Sequence, residues 1–178
     1  MKKAAVIYLS NTGNTEKVAL AIKNGLESAD TDVVIKKVKE AEDIDFYDYD
    51  LVCIGTPSIH WQVPKPLNEF LMKKFYAYRD QDCIKPCAPK IPGKNSLIFC
   101  TYAGPHTGMN EAVPVVKHIG QFFEHFGFTI LDEWCILGEF HGSEENSTMG
   151  LMGDIRGRPN EEDLQKIEKD AENLALRI

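Results

Sequence analysis

The sequence predicts an α/β protein: a doubly wound, five-stranded parallel sheet in the order 2-1-3-4-5, with helices on both faces. Three observations lead there. Short apolar runs alternate with segments whose apolar residues recur at helical spacing, so strands alternate with helices. The first run, Ala4 to Leu9, is continuously apolar apart from Tyr8, as a strand covered on both faces must be. Parallel neighbours need right-handed crossovers, and for five strands these allow the order 2-1-3-4-5.

The elements follow in order. Ala4 to Leu9 leads through Ser10-Asn11-Thr12-Gly13-Asn14-Thr15 into a helix marked by Val18, Ala19, Ile22 and Leu26. Asp32 to Ile35 is a short second strand. Leu51 to Gly55 is the third, introduced by the acidic, aromatic turn Phe46 to Asp50. Leu67, Phe70, Leu71 and Lys74 mark a second helix. Pro64 and Pro66 suit its start, where a missing N–H costs nothing. Tyr76 to Asn95 is rich in proline and lysine and reads as a long surface connection. Ser96 to Cys100 is the fourth strand, and Val116, Ile119, Gly120 and Phe123 give the third helix its buried face. The fifth strand lies within Phe128 to Leu137. Gly138 to Arg158 reads as a Gly-rich polar loop. Leu164, Ile167, Ala171, Leu174 and Ile178 trace one face of the last helix, with Asn160 as its N-cap.

A chain of 178 residues is expected to form one domain over 1–178. Its net charge of −7 argues against nucleic acid and against anionic lipid as partners. No stretch approaches the roughly 18 apolar residues of a membrane span. Lys2-Lys3 before a short apolar run is a poor signal peptide, since Asn11 to Thr15 interrupts the run. The expectation is a cytoplasmic protein with no membrane insertion. Among five cysteines, Cys53, Cys100 and Cys135 lie in strand-like runs and read as buried hydrophobes. Cys83 and Cys87 flank Pro86 without the spacing of a zinc site. Asp43, Asp45, Asp48 and Asp50 do not follow a calcium-loop pattern and read as a solvated turn. His118 and His125 fall on one face of the third helix and read as packing or surface residues. Phe75 to Tyr78 is a candidate aromatic interface; the oligomeric state stays open.

In a doubly wound sheet, ligands bind outside the carboxyl ends of the strands, where the strand order reverses. That selects three loops. Ser10, Asn11, Thr12, Gly13, Asn14 and Thr15 precede a helix whose N-terminal N–H groups attract an anion, and they add hydroxyls and amides but no Lys or Arg. The chain has neither GxxxxGK[ST] nor GxGxxG, so nucleoside triphosphates and dinucleotides are set aside. The combination suits a terminal phosphate held by neutral donors. The second loop, Thr56, Pro57, Ser58, Ile59, His60 and Trp61, offers an indole to cover something flat. The third, Thr101, Tyr102, Ala103, Gly104, His106 and Gly108, offers small residues for close backbone approach and Tyr102 as a second aromatic wall. The expected ligand is planar and phosphorylated, its ring between Trp61 and Tyr102. FMN fits that description better than a sugar phosphate.

Ser10-Asn11-Thr12-Gly13-Asn14-Thr15 resembles the flavodoxin phosphate loop, [ST]-x-T-G-x-T. The resemblance extends through Gly55-Thr56-Pro57, the third loop and Gly157-Arg158-Pro159-Asn160. It implies a flavodoxin-like fold, a non-covalent FMN, a phosphate held by residues 10–15 and a ring contacted by the other two loops. Ser58 to Val63 departs from the pattern. Many electron-carrier flavodoxins place Gly or Asn there, and bulky residues are expected to resist a positive φ. Two functions remain open. One is electron transfer between redox partner proteins; the other is an FMN-dependent NAD(P)H oxidoreductase with a quinone or similar small-molecule electron acceptor, for which His60, His106 and Tyr102 could position the acceptor. A phospho-acceptor receiver is disfavoured because Ser10-Asn11 and Thr56-Pro57 stand where its acidic residues belong.

Overall fold

The computed structural model describes residues 1–178. Five parallel strands, β1 (Lys2–Tyr8), β2 (Thr31–Lys37), β3 (Leu51–Pro57), β4 (Asn95–Tyr102) and β5 (Thr129–Leu137), form one sheet in the order β2-β1-β3-β4-β5. The helices are α1 (Asn14–Ser28), α2 (Lys65–Asp80), α3 (Val113–His125), a short α4 (Glu144–Thr148) and α5 (Glu161–Ala175). The register sets Tyr8 beside Gly55, Pro57 beside Thr101, and Tyr102 beside Leu137. The strand ends that bear the candidate loops are therefore adjacent.

Alternating side chains on each strand feed two cores. Ala5, Ile7, Val52, Ile54, Ile98 and Cys100 pack under α2 and α3, with Phe46, Phe123, Phe126 and Phe128 closing that side. Ala4, Val6, Cys53, Leu97 and Phe99 pack under α1 and α5. Covering the sheet on both faces explains why its central strands read as unbroken apolar runs. Asn160 caps α5: its Oδ1 accepts from the Asp163 amide at 3.0 Å, while Asp163 Oδ2 accepts from the Asn160 amide at 2.9 Å.

Two spans differ from the sequence reading. Residues 76–80 are the last turn of α2 rather than connection, because Phe75 and Tyr78 belong to the aromatic core. Tyr78 donates to Asp45 Oδ1 at 2.9 Å and accepts from the Phe46 amide at 2.8 Å. Of the four residues 75–78 only Tyr76 presents a largely exposed ring, so the segment mostly packs inward. Residues 138–158 are not featureless either: they hold α4, with Ser143 as its cap. The acidic turn does local work, Asp45 capping the Tyr47 amide and Asp50 accepting from the Lys3 amide. Cys53 and Cys100 are buried, Cys135 is half-buried, and Cys83 and Cys87 are free. His118 bonds Asn68, and His125 bonds the Gln121 carbonyl. No helix is long and apolar enough to cross a membrane.

Candidate functional site

A cleft of about 420 Å³ opens at the carboxyl ends of β1, β3, β4 and β5. Its walls come from residues 11, 12, 14, 15, 57–59, 101–103 and 138–142. A larger cavity of about 960 Å³ lies on the other side of Ser10, between the end of β2 and α2. Half of that cavity's lining comes from α2, including Lys73, which pairs with Glu42, and it lacks the run of free amides described next.

Gly13, at φ 97, is the N-cap of α1. This left-handed conformation favours glycine, and nothing lies within 4 Å of where a Cβ would sit. A glycine cap has no side chain to spend on the helix end. The Gly13 amide donates to Ser10 Oγ at 3.1 Å, which closes the turn. The amides of Asn11, Thr12, Asn14, Thr15 and Glu16 have no acceptor within the chain. These amides stand at the positive end of a fifteen-residue helix, an arrangement that binds anions. Thr15 and Thr101 share a buried hydroxyl–hydroxyl bond of 2.7 Å, which ties the first loop to the third. Beside the loop, Tyr8 donates to Glu16 Oε1 at 2.7 Å; burial, reinforced by that carboxylate, pushes the phenol far above its ordinary range.

The second loop turns back on itself. Ile59 and Gln62 pair in antiparallel fashion, with N–H···O distances of 3.4 and 3.0 Å. His60 and Trp61 occupy the tip at φ 49 and 60. Two bulky residues thus take positive φ, and the resistance expected of them is met as a cost. A two-residue hairpin of the type that matches strand twist requires positive φ at both central positions, whatever residues stand there. Each costs on the order of 1–3 kcal/mol and persists because the flanking pair holds it. Ser58 anchors the loop, donating its amide to the Thr101 carbonyl at 2.8 Å and its hydroxyl to the Glu111 carbonyl.

In the third loop, Glu111 Oε1 accepts from the His106 and Thr107 amides at 2.9 and 2.8 Å. Those two amides are spent internally, whereas the Ala103 and Gly104 amides have no acceptor within the chain. Burial pushes the Tyr102 phenol up.

Of the residues selected from sequence, Asn11, Thr12, Asn14, Thr15, Pro57, Ser58, Ile59, Thr101, Tyr102 and Ala103 meet in the cleft wall. Ser10, Gly13, Thr56, Gly104 and Gly108 are not in the wall; Ser10 lines the larger cavity, and Thr56 is wholly buried. His60, Trp61 and His106 lie outside the wall; Trp61 is 56% exposed. Tyr102 reaches the cleft, but Trp61 does not face it from the opposite wall. The residues missed are Gly138, Glu139, Phe140, His141 and Gly142. Asn14 Nδ2 donates to the Glu139 carbonyl at 3.0 Å, and a Cβ on Gly138 would lie 2.8 Å from that same Nδ2. Their signal was available: they follow the carboxyl end of the fifth strand, by the rule that selected the other loops.

The free amides, the open space around Gly13 and the absence of lysine and arginine from the lining fit the phosphate of FMN. A family model described as flavodoxin matches residues 6–169. The chain belongs to the flavodoxin family. Among solved structures, a flavodoxin from the domain Archaea is 22% identical, with a TM-score of 0.67 and coverage of 98% of this chain and 97% of that one. An uncharacterised protein of Methanocaldococcus jannaschii is 28% identical over 81% of this flavodoxin-family chain and 33% of its own length. A Rhizobium meliloti protein named NAD(P)H dehydrogenase (quinone) 3 is 26% identical over 67% of this chain and 64% of its own. The chain therefore spans about a third of the first relative and just under two thirds of the second.

Proposed function

We propose that the chain binds one non-covalent FMN in the cleft and acts as a redox protein, passing electrons between protein partners in a cytoplasmic setting. The observation that carries this reading is the set of free amides at 11, 12 and 14–16 on a loop with no cation, facing a cleft walled by three further loops. The amides of residues 11, 12 and 14–16 and the Thr12 hydroxyl would hold the phosphate. Pro57 to Ile59 and Thr101 to Ala103 would flank the ring, with the Ala103 amide turned to its polar edge. FMN supplies the electron transfer when bound. The chain's residues position it, exclude water and set its electrostatic surroundings. A net charge of −7 disfavours added negative charge on a bound ligand and steers basic partner surfaces toward the protein.

A second reading is supported by the relative named NAD(P)H dehydrogenase (quinone) 3: an FMN-dependent oxidoreductase that takes hydride from NAD(P)H. The exposed His60 and Trp61, which follow the wall residue Ile59, would then meet the acceptor. Anaerobic titration of the FMN-loaded protein separates the two. A carrier is bleached by dithionite in stoichiometric amounts and is inert to NADH and NADPH. Rapid bleaching by either nicotinamide alone overturns the carrier reading in favour of the oxidoreductase.

A further inference from the structure

The wall that follows β5 contains the one side chain of the cleft lining able to carry a positive charge, His141. Its Nε2 lies 3.4 Å from Asn14 Oδ1, at the N-terminus of α1. That separation is longer than a good N–H···O bond, so the contact is weak and cheaply exchanged. The loop that carries it is built rather than loose. Ser147, which is buried, accepts from the Phe140 amide at 3.0 Å and donates to the Phe140 carbonyl at 3.1 Å. The Gly138 amide donates to the Tyr102 carbonyl, and the Glu139 amide to the Arg158 carbonyl, each at 2.9 Å. The nearby charges are engaged elsewhere. Glu139 Oε2 accepts from the Gly157 amide at 2.9 Å, Arg158 pairs with Asp163, and Arg156 pairs with Asp154 and Glu144.

We propose that His141 is a phosphate-recognition residue that selects phosphorylated over unphosphorylated flavin. Resting on the FMN reading above, it assigns a fourth loop and a specific side chain to the site. A phosphate oxygen is a stronger acceptor than the Asn14 amide oxygen, and a bond from imidazole to an anion is charge-assisted. The Nε2–H passes from Asn14 Oδ1 to the phosphate when the ligand is seated. The residues 10–15 carry no Lys or Arg, so His141 adds a side-chain ring N–H to a loop that otherwise offers backbone amides and neutral side chains.

The test is equilibrium binding of FMN and of riboflavin to the apoprotein, followed by quenching of flavin fluorescence, for the wild type, His141→Ala and His141→Gln. His141 is exposed, so both variants keep the fold, and their thermal melts verify it. His141→Ala is expected to weaken FMN about tenfold, as loss of a hydrogen bond to a charged group does, and to change riboflavin less than twofold. His141→Gln, which keeps a neutral donor, falls between. An unchanged FMN affinity in His141→Ala, or an equal loss for both flavins, overturns the proposal while leaving the FMN reading intact. A wild type that binds neither flavin refutes the FMN reading itself, and this inference with it.

Discussion

Replacing Thr15 by Val, or Thr101 by Val, tests how the first and third loops are joined. Valine has nearly the shape of threonine, so each substitution removes a hydroxyl and little else. The two hydroxyls are 2.7 Å apart, and both residues are essentially buried. Neither hydroxyl has another partner in the chain. Either single variant therefore leaves one buried hydroxyl unsatisfied, at a cost of about 1–3 kcal/mol. The double variant Thr15→Val/Thr101→Val leaves none, so its loss is smaller than the sum, with a coupling of about 1 kcal/mol or more. Urea unfolding of the apoprotein is the assay, since a bound ligand would add its own stabilisation. With a slope of about 2 kcal/mol/M, each single variant lowers the midpoint by about 0.5–1.5 M. Losses that add to within about 0.5 kcal/mol would refute the reasoning, because they would mean that the two hydroxyls do not satisfy each other.

Trp61→Asn is expected to stabilise the protein by about 1 kcal/mol, since Asn tolerates the left-handed region and the exposed indole gives up little packing; a thermal melt rises by about 2–4 °C, and a fall contradicts the strained hairpin. Asn160→Ala removes the α5 capping box and is expected to cost about 1 kcal/mol in the same melt. Stability should also fall at alkaline pH. Burial pushes the Tyr47 phenol up to about 12 and lifts the Tyr8, Tyr78, Cys53 and Cys100 groups above their ordinary values. The folded chain then holds protons that the unfolded chain releases from about pH 9 for thiols and about 10 for phenols, so unfolding gains as pH rises through and beyond those values. Urea midpoints measured between pH 8 and 10.5 should decline above pH 9, and a flat profile contradicts the burial.

The strand order and most of the cleft were legible in the sequence because both follow from local signals. Continuous apolar runs at residues 4–9 and 51–55 marked strands covered on both faces, and the hydroxyl- and amide-rich turn around Gly13 marked a helix start. The end of α2 was not legible. Lys73 and Lys74 before Phe75, and Arg79 after Tyr78, look like a polar surface, yet Tyr78 is drawn into the core by Asp45 and the Phe46 amide, which lie more than thirty residues away. The hairpin at 59–62 was not legible for a related reason. Side-chain bulk predicts a cost for positive φ, and the pairing of Ile59 with Gln62, which holds His60 and Trp61 there, appears only in the folded chain. The wall at 138–142 was legible by its position after the fifth strand, the rule that selected the other loops, whereas its contacts with Asn14 and Ser147 are made only in the folded chain.

The most direct test of the account is titration of the apoprotein with FMN, comparing the wild type with a variant that disturbs the free amides of the first loop without touching the core. Gly13→Ala serves, because φ 97 is strained for alanine while the space around its Cβ is open. The account predicts one FMN per wild-type chain, with a yellow protein after desalting, and markedly weaker binding in Gly13→Ala. A wild-type chain that stays colourless and leaves FMN fluorescence unchanged would contradict it.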